Sequence, residues 1–157
     1  MRRDRGARRL GFSLLEVVIV VAIIAILAAI GIPRMSRGAK GASDSALTGD
    51  LATLRNAIDL YATEHAGIYP SDPNNGQLTK YTDAAGNVNA AKTTTYIYGP
   101  YVRVIPPLPV GAKKGKSSIS TADGTNVGWI YNATEGTIKA NAADGEKDEA
   151  GKQYNLY

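Results

Sequence analysis

Residues 12–32 read FSLLEVVIVVAIIAILAAIGI, a run of twenty-one in which Ser13 and Glu16 alone are polar. As a helix the run spans roughly 30 Å, about the thickness of a bilayer's hydrocarbon core. Ahead of it, residues 1–11 carry Arg2, Arg3, Arg5, Arg8 and Arg9 against Asp4, which accounts for the whole net charge of +4. Arg34, Arg37 and Lys40 follow the run. Five basic residues before it against three after it predict, by the positive-inside rule, a cytoplasmic N-terminus and a body outside the cytoplasm. A secretory signal peptide would have an apolar core of about 7 to 15 residues ending at a small-x-small cleavage site. Here the run is longer, and only Ala29-x-Gly31 has that form.

The rest of the composition narrows the chemistry. A chain of 157 residues has room for one domain, and it holds no cysteine and a single His. Disulfides, thiolate zinc sites and cysteine nucleophiles are therefore excluded, and a lone histidine argues against a histidine-built metal cluster. Beyond residue 11 the charges balance, thirteen basic against thirteen acidic. The basic excess is a terminal tag, which argues against a nucleic-acid-binding surface on the body. His65 beside Glu64 at an expected helix end, with no nucleophile elbow or phosphate loop, reads as structural, and no enzyme is expected.

Glu16 is the anomaly of the apolar run. A carboxylate in an apolar helix costs about 2 to 4 kcal/mol near the bilayer centre and less near the interface, so it is retained for a partner or a function. A single Gly precedes the run, and Glu16 lies four residues after its first member. Gly11-Phe12-Ser13-Leu14-Leu15-Glu16 resembles the prepilin cleavage and methylation motif of type IV pilins and type II secretion pseudopilins. The resemblance covers the leader and the anchor, including Pro33, where this family often carries a helix-bending proline; Ser13 stands where Thr is commoner. It implies that a membrane aspartic peptidase, the prepilin peptidase, cuts after Gly11 and methylates the new Phe12 amine. The Phe12 ammonium would then lie on the same helix face as Glu16, which could pair with it or with the terminus of a staggered neighbour and so fix the register.

Past the anchor, residues 33–43 are rich in Gly and Ser. Pro33 removes a backbone donor, and Gly38 and Gly41 each weaken a helix by roughly 1 kcal/mol relative to Ala, so this segment is the expected weak point of one long helix. If anchor and continuation form one rod from Phe12 to His65, it spans about 81 Å when straight. Leu47, Leu51, Leu54, Ile58 and Tyr61 form one apolar stripe of an amphipathic helix, with Asp50, Arg55, Asp59 and Glu64 on the other faces. Gly67 should supply a left-handed cap, and Pro70 should prevent resumption. The junction Gly67-Ile68-Tyr69-Pro70 resembles that of major pseudopilins.

The remainder reads as turns around residues 72–76 and 83–87, and as short strands at 94–98, 101–105, 127–131 and 137–140, the last two a hairpin. A small antiparallel sheet needs a cover, and the stripe is the available one. The expected fold is therefore an α+β, pilin-like lollipop. Its divisions are a cleaved leader at 1–11, a transmembrane and assembly helix at 12–32, an extracytoplasmic helix half at 33–66 and a β-rich head at 67–157. Tyr96, Tyr98 and Tyr101 are expected to pack core and sheet edge, and Lys113, Lys114 and Lys116 to lie in a solvated loop.

Asp144, Glu146 and Asp148 alternate in a loop-like segment and could offer oxygen ligands to Ca²⁺, although their spacing is not that of a full EF-hand; a solvated acidic tail is the other reading. Major pseudopilins hold calcium in the head, but their Asn-Pro-bearing segment is replaced here by Pro106-Pro107-Leu108-Pro109-Val110. No cofactor is required. The resemblance implies a structural subunit of a type II secretion pseudopilus-like filament, with a type IV pilus pilin as the alternative. It would be held in the inner membrane by a single pass, with the head periplasmic, before assembly into a homo-oligomeric helical filament. Its partners would be the prepilin peptidase, an inner-membrane assembly platform and other pseudopilins or pilins.

Overall fold

The computed structural model describes residues 11–157. The chain divides into two compact units, the first ending at Ala39 and the second running from Lys40 to Tyr157. A single helix, α1, covers Leu14–Glu64 and contributes to both. Its first main-chain bond is donated by Val17 N–H to Ser13 O at 3.2 Å, one residue before the helix begins.

From Leu14 to Ile32 every residue of the helix except Glu16 is apolar. The side chains from Leu14 to Ile32 bury nothing, as expected of a segment whose partner is a bilayer or other helices. By length and composition α1 is the one helix among the described residues able to cross a membrane.

α1 remains helical through Pro33, Gly38 and Gly41, and the boundary between the two units falls at Ala39/Lys40, inside that stretch. Helical geometry there does not imply helical stability, because the missing Pro33 donor and the glycines lower the local free energy of opening. Hydrogen exchange on detergent-solubilised protein is expected to be faster at residues 33–43 than at 47–61. Equal protection of the two segments would refute the weak point.

The second unit is built on the amphipathic stripe. Leu47, Leu51, Leu54, Ile58 and Tyr61 are all no more than 2% exposed and share one core with Trp129 and Ile138. α1 ends in two left-handed residues rather than the expected one, Ala66 at φ 55° and Gly67 at φ 84°, and Gly67 N–H returns to Ala62 O at 2.7 Å. Ala66 carries strain there that Gly67 does not. Tyr69 lies against Gly136, where a side chain would collide with its ring, and Pro70 is buried.

Five strands follow: β1 (Tyr81–Thr82), β2 (Val88–Asn89), β3 (Ser118–Ser120), β4 (Val127–Asn132) and β5 (Thr137–Ala140). β1 and β2 form a small antiparallel pair, while the other three make a sheet in the order β3-β4-β5. The expected hairpin of β4 and β5 is present, with Trp129 facing Ala140 and Tyr131 facing Ile138 on the buried side. Ile130 with Lys139, and Asn132 with Thr137, occupy the outer side, the period-two alternation of a half-buried sheet. The α+β class holds, with one departure: β3 pairs with β4 in parallel, with an irregular register at Ser118/Ile119. Gly128 allows this approach, since a Cβ there would strike Lys116 O.

Residues 94–98 and 101–105 are not strands. One bridge, Thr82 with Tyr98, is all the ladder they make. Tyr101 and Val102 both donate their N–H groups to Leu78 O, at 2.9 and 3.0 Å. Pro100, Pro106 and Pro107 flank these segments and offer no donors of their own; Val102 is buried, with Tyr101 and Ile105 packed against the core, while Ile97 and Val104 stay exposed.

Candidate functional site

Gly11 and Phe12, the expected processing junction, lie just ahead of α1. Both are in exposed chain outside regular secondary structure, and the space around Gly11 is open within 4 Å. Phe12 is 81% exposed. Glu16 sits in the first turn of α1 and is exposed, where a carboxylate also complements the positive end of the helix dipole. Gly11 and Phe12 are thus accessible, with an acid one helical turn beyond them. The basic leader, residues 1–10 with all five arginines, lies outside the described residues.

In the second unit the acidic residues 144–149 are dispersed among separate partners. Glu146 accepts from Ala112 N–H at 2.5 Å and from Ala143 N–H at 2.9 Å. Asp148 accepts from Lys152 N–H at 2.7 Å and from the Tyr157 hydroxyl. That hydroxyl chiefly holds the Asp148 carboxyl below its usual range, and the same contact pushes Tyr157 up to about 12. Asp144 accepts from Asn155 Nδ2 at 2.7 Å. Among the described residues no three acidic, His or Cys side chains converge as a ligand set, so these carboxylates tie loops together in the geometry seen.

Three ties escaped the sequence reading. Asp44 on α1 accepts from the Tyr154 hydroxyl at 2.8 Å and from Glu149 N–H at 3.2 Å, which straps the C-terminal segment to the helix. Burial, with Asp44 second, pushes the Tyr154 phenol up. Arg55, expected on a free face, donates to Ile138 O at 3.3 Å and Tyr157 O at 2.6 Å. Lys113, expected in a solvated loop, bonds Asp123 at 3.0 Å and Gly124 O at 2.9 Å. Asn141 first, then Lys113, lowers the Asp123 carboxyl.

His65 is 3% exposed and stacked on Tyr61, with its ring centroid 3.8 Å away. Its Nδ1 lies 2.8 Å from Tyr61 O and its Nε2 2.9 Å from Asp83 O, so it locks the end of α1 to β1, the structural role expected. The Tyr101 hydroxyl donates to Glu64 at 2.7 Å beside it. Burial first, then this bond, pushes that phenol up. A cleft of about 530 Å³ lies between α1, the β4-β5 hairpin and the C-terminal segment, lined by Arg55, Asp59, Tyr69, Ile130, Glu135 and Tyr157 among others. Within this lining the Thr137 hydroxyl donates to Glu135 at 3.4 Å, and Arg55 is committed to Ile138 O and Tyr157 O.

Residues 6–32 match the model of the prokaryotic N-terminal methylation motif, the hallmark of type IV pilins and pseudopilins. The match takes in the cleavage junction, Glu16 and the apolar run, and stops short of the second unit. No curated protein and no solved structure matches the chain. The motif supports a type IV pilin-like or pseudopilin subunit in general, and the family that bears it is structural. It implies processing by a prepilin peptidase and assembly into filaments. A single apolar helix at the N-terminus fits membrane anchoring.

Proposed function

We propose that this chain is a structural subunit of a type II secretion pseudopilus-like filament. It is anchored in the inner membrane by residues 12–32, cut between Gly11 and Phe12, and assembled through its N-terminal helix. The observation that carries this reading is the matched motif at residues 6–32, together with the large apolar side chains that α1 leaves exposed from Leu14 to Ile32. Such a surface is stable only in lipid or against other helices, and both are available to a subunit that passes from membrane to filament. The junction Gly67-Ile68-Tyr69-Pro70, which resembles that of major pseudopilins, supports the pseudopilin reading over the alternative of a type IV pilus pilin; here Gly67 follows the end of α1, Tyr69 lies against Gly136 and Pro70 is buried. In this reading the head is periplasmic, and the partners are the prepilin peptidase, the inner-membrane assembly platform, other pseudopilins and further copies of the chain.

Mass spectrometry of the N-terminal peptide from membrane-derived protein tests the processing. The expected mature chain begins at Phe12 and carries one methyl group on its amine. A mature start near Ile32 would identify an ordinary signal peptide and remove the filament reading.

A further inference from the structure

Asn132-Ala133-Thr134 is the only Asn-x-Ser/Thr run in the chain, and its middle residue is not Pro. Such a run is the acceptor pattern for N-linked glycan, because the transferase needs the carboxamide together with the hydroxyl two residues on. Here it occupies the turn of the β4-β5 hairpin, with Asn132 and Thr134 both exposed. Asn132 Oδ1 accepts from Thr134 N–H at 3.0 Å and Glu135 N–H at 3.4 Å, so the oxygen is held inward. Neither Asn132 Nδ2 nor the Thr134 hydroxyl takes part in the hydrogen bonds of the described residues. Other asparagines have committed the same nitrogen: Asn87 to Asp83, Asn141 to Asp123 and Val127 O, Asn155 to Asp144. The cleft of about 530 Å³ that Asn132 also lines leaves room beside it for the first sugars.

We propose that Asn132 is a glycosylation site, whose donor is an oligosaccharide carried on a polyprenyl pyrophosphate in the outer face of the membrane. The Asn132 Nδ2–C1 bond forms as the C1–O bond to pyrophosphate breaks. The bond pair leaves with the lipid pyrophosphate, and the amide proton passes to a base of the transferase. The two N–H bonds to Oδ1 stabilise the electron-rich carboxamide as that proton departs. The inference rests on the reading above that the head lies outside the cytoplasm, where such a donor is presented.

The test is mass spectrometry of full-length protein from the producing cells, following the N-terminal peptide and the tryptic peptide of residues 117–139 in one sample. The expected result is a Phe12 terminus together with a glycan-bearing 117–139 peptide that yields sugar oxonium ions. Asn132→Gln and Thr134→Ala should abolish the modification, and Thr134→Ser should retain it. A processed chain whose 117–139 peptide is wholly unmodified overturns the proposal while leaving the filament reading intact. An unprocessed chain with an unmodified peptide overturns both, since neither the cut after Gly11 nor the transfer to Asn132 would then have taken place.

Discussion

Replacing Leu54 with Ala is expected to cost the second unit about 2 to 5 kcal/mol, the range for truncating a fully buried leucine in a core that relaxes only partly. Leu54 is fully buried in the middle of the stripe, within the same core as Trp129 and Leu51. A three-stranded sheet with a two-stranded pair beside it cannot bury its own inner face in water, so the helix that covers it is indispensable. Against a total of about 5 to 15 kcal/mol for a domain of ordinary stability, the loss is a large share. Denaturant unfolding followed through Trp129 fluorescence should show it, with Asn56→Ala, on the exposed side of α1, as the comparison. Arg55→Ala is not a neutral comparison, because Arg55 bonds Ile138 O and Tyr157 O. Equal, mild effects of Leu54→Ala and Asn56→Ala would mean that the stripe does not hold the sheet.

The second large effect is expected at Glu16. The acid stands in an apolar segment where its charge is costly, one turn from the amine that cleavage at Gly11 would create. Replacing it with Val makes the segment more apolar, so Glu16→Val should insert into the membrane and be cleaved as well as wild type. What it removes is the partner for a terminal ammonium, its own or that of a staggered neighbour, and with it the register between subunits. Filament yield in the sheared fraction should fall at least about tenfold, the change in an equilibrium that a loss of roughly 1.4 kcal/mol per subunit represents. Wild-type yield from the Val variant would show that the pairing is dispensable.

What the sequence disclosed follows from the range of the interactions involved. The apolar helix and the methylation motif at its head are legible because their pattern is local: a run of apolar residues with a Gly just before it and an acid four positions after its first member. The amphipathic stripe and the β4-β5 hairpin are legible for the same reason, each being set by a short period. The strands expected at 94–98 and 101–105 failed because composition was weighed above the flanking prolines at 100, 106 and 107, which interrupt the run on either side of 101–105, and because Tyr101 and Val102 give their N–H groups to Leu78 O. β3 was missed because Ser118 and Ser120 are weak strand formers. It forms through Ile119, buried against the core, and through the close approach that Gly128 permits. The ties of Arg55 to Ile138 and of Asp44 to Tyr154 join residues 83 and 110 positions apart, separations at which no period in the sequence carries a signal. The carboxylates at 144, 146 and 148 looked alike in sequence, and the fold gave each a different hydrogen-bond donor.

The account's central claim is assembly through the N-terminal helix, and electron cryomicroscopy of sheared filaments from cells producing this chain tests it most directly. The expected result is a helical filament built of this chain from Phe12 onward, with residues 12–32 packed in its core and the Phe12 amine within ion-pair distance of a Glu16 carboxylate. A chain that stays wholly in the membrane fraction as a processed monomer, with no filament containing it, would contradict the claim.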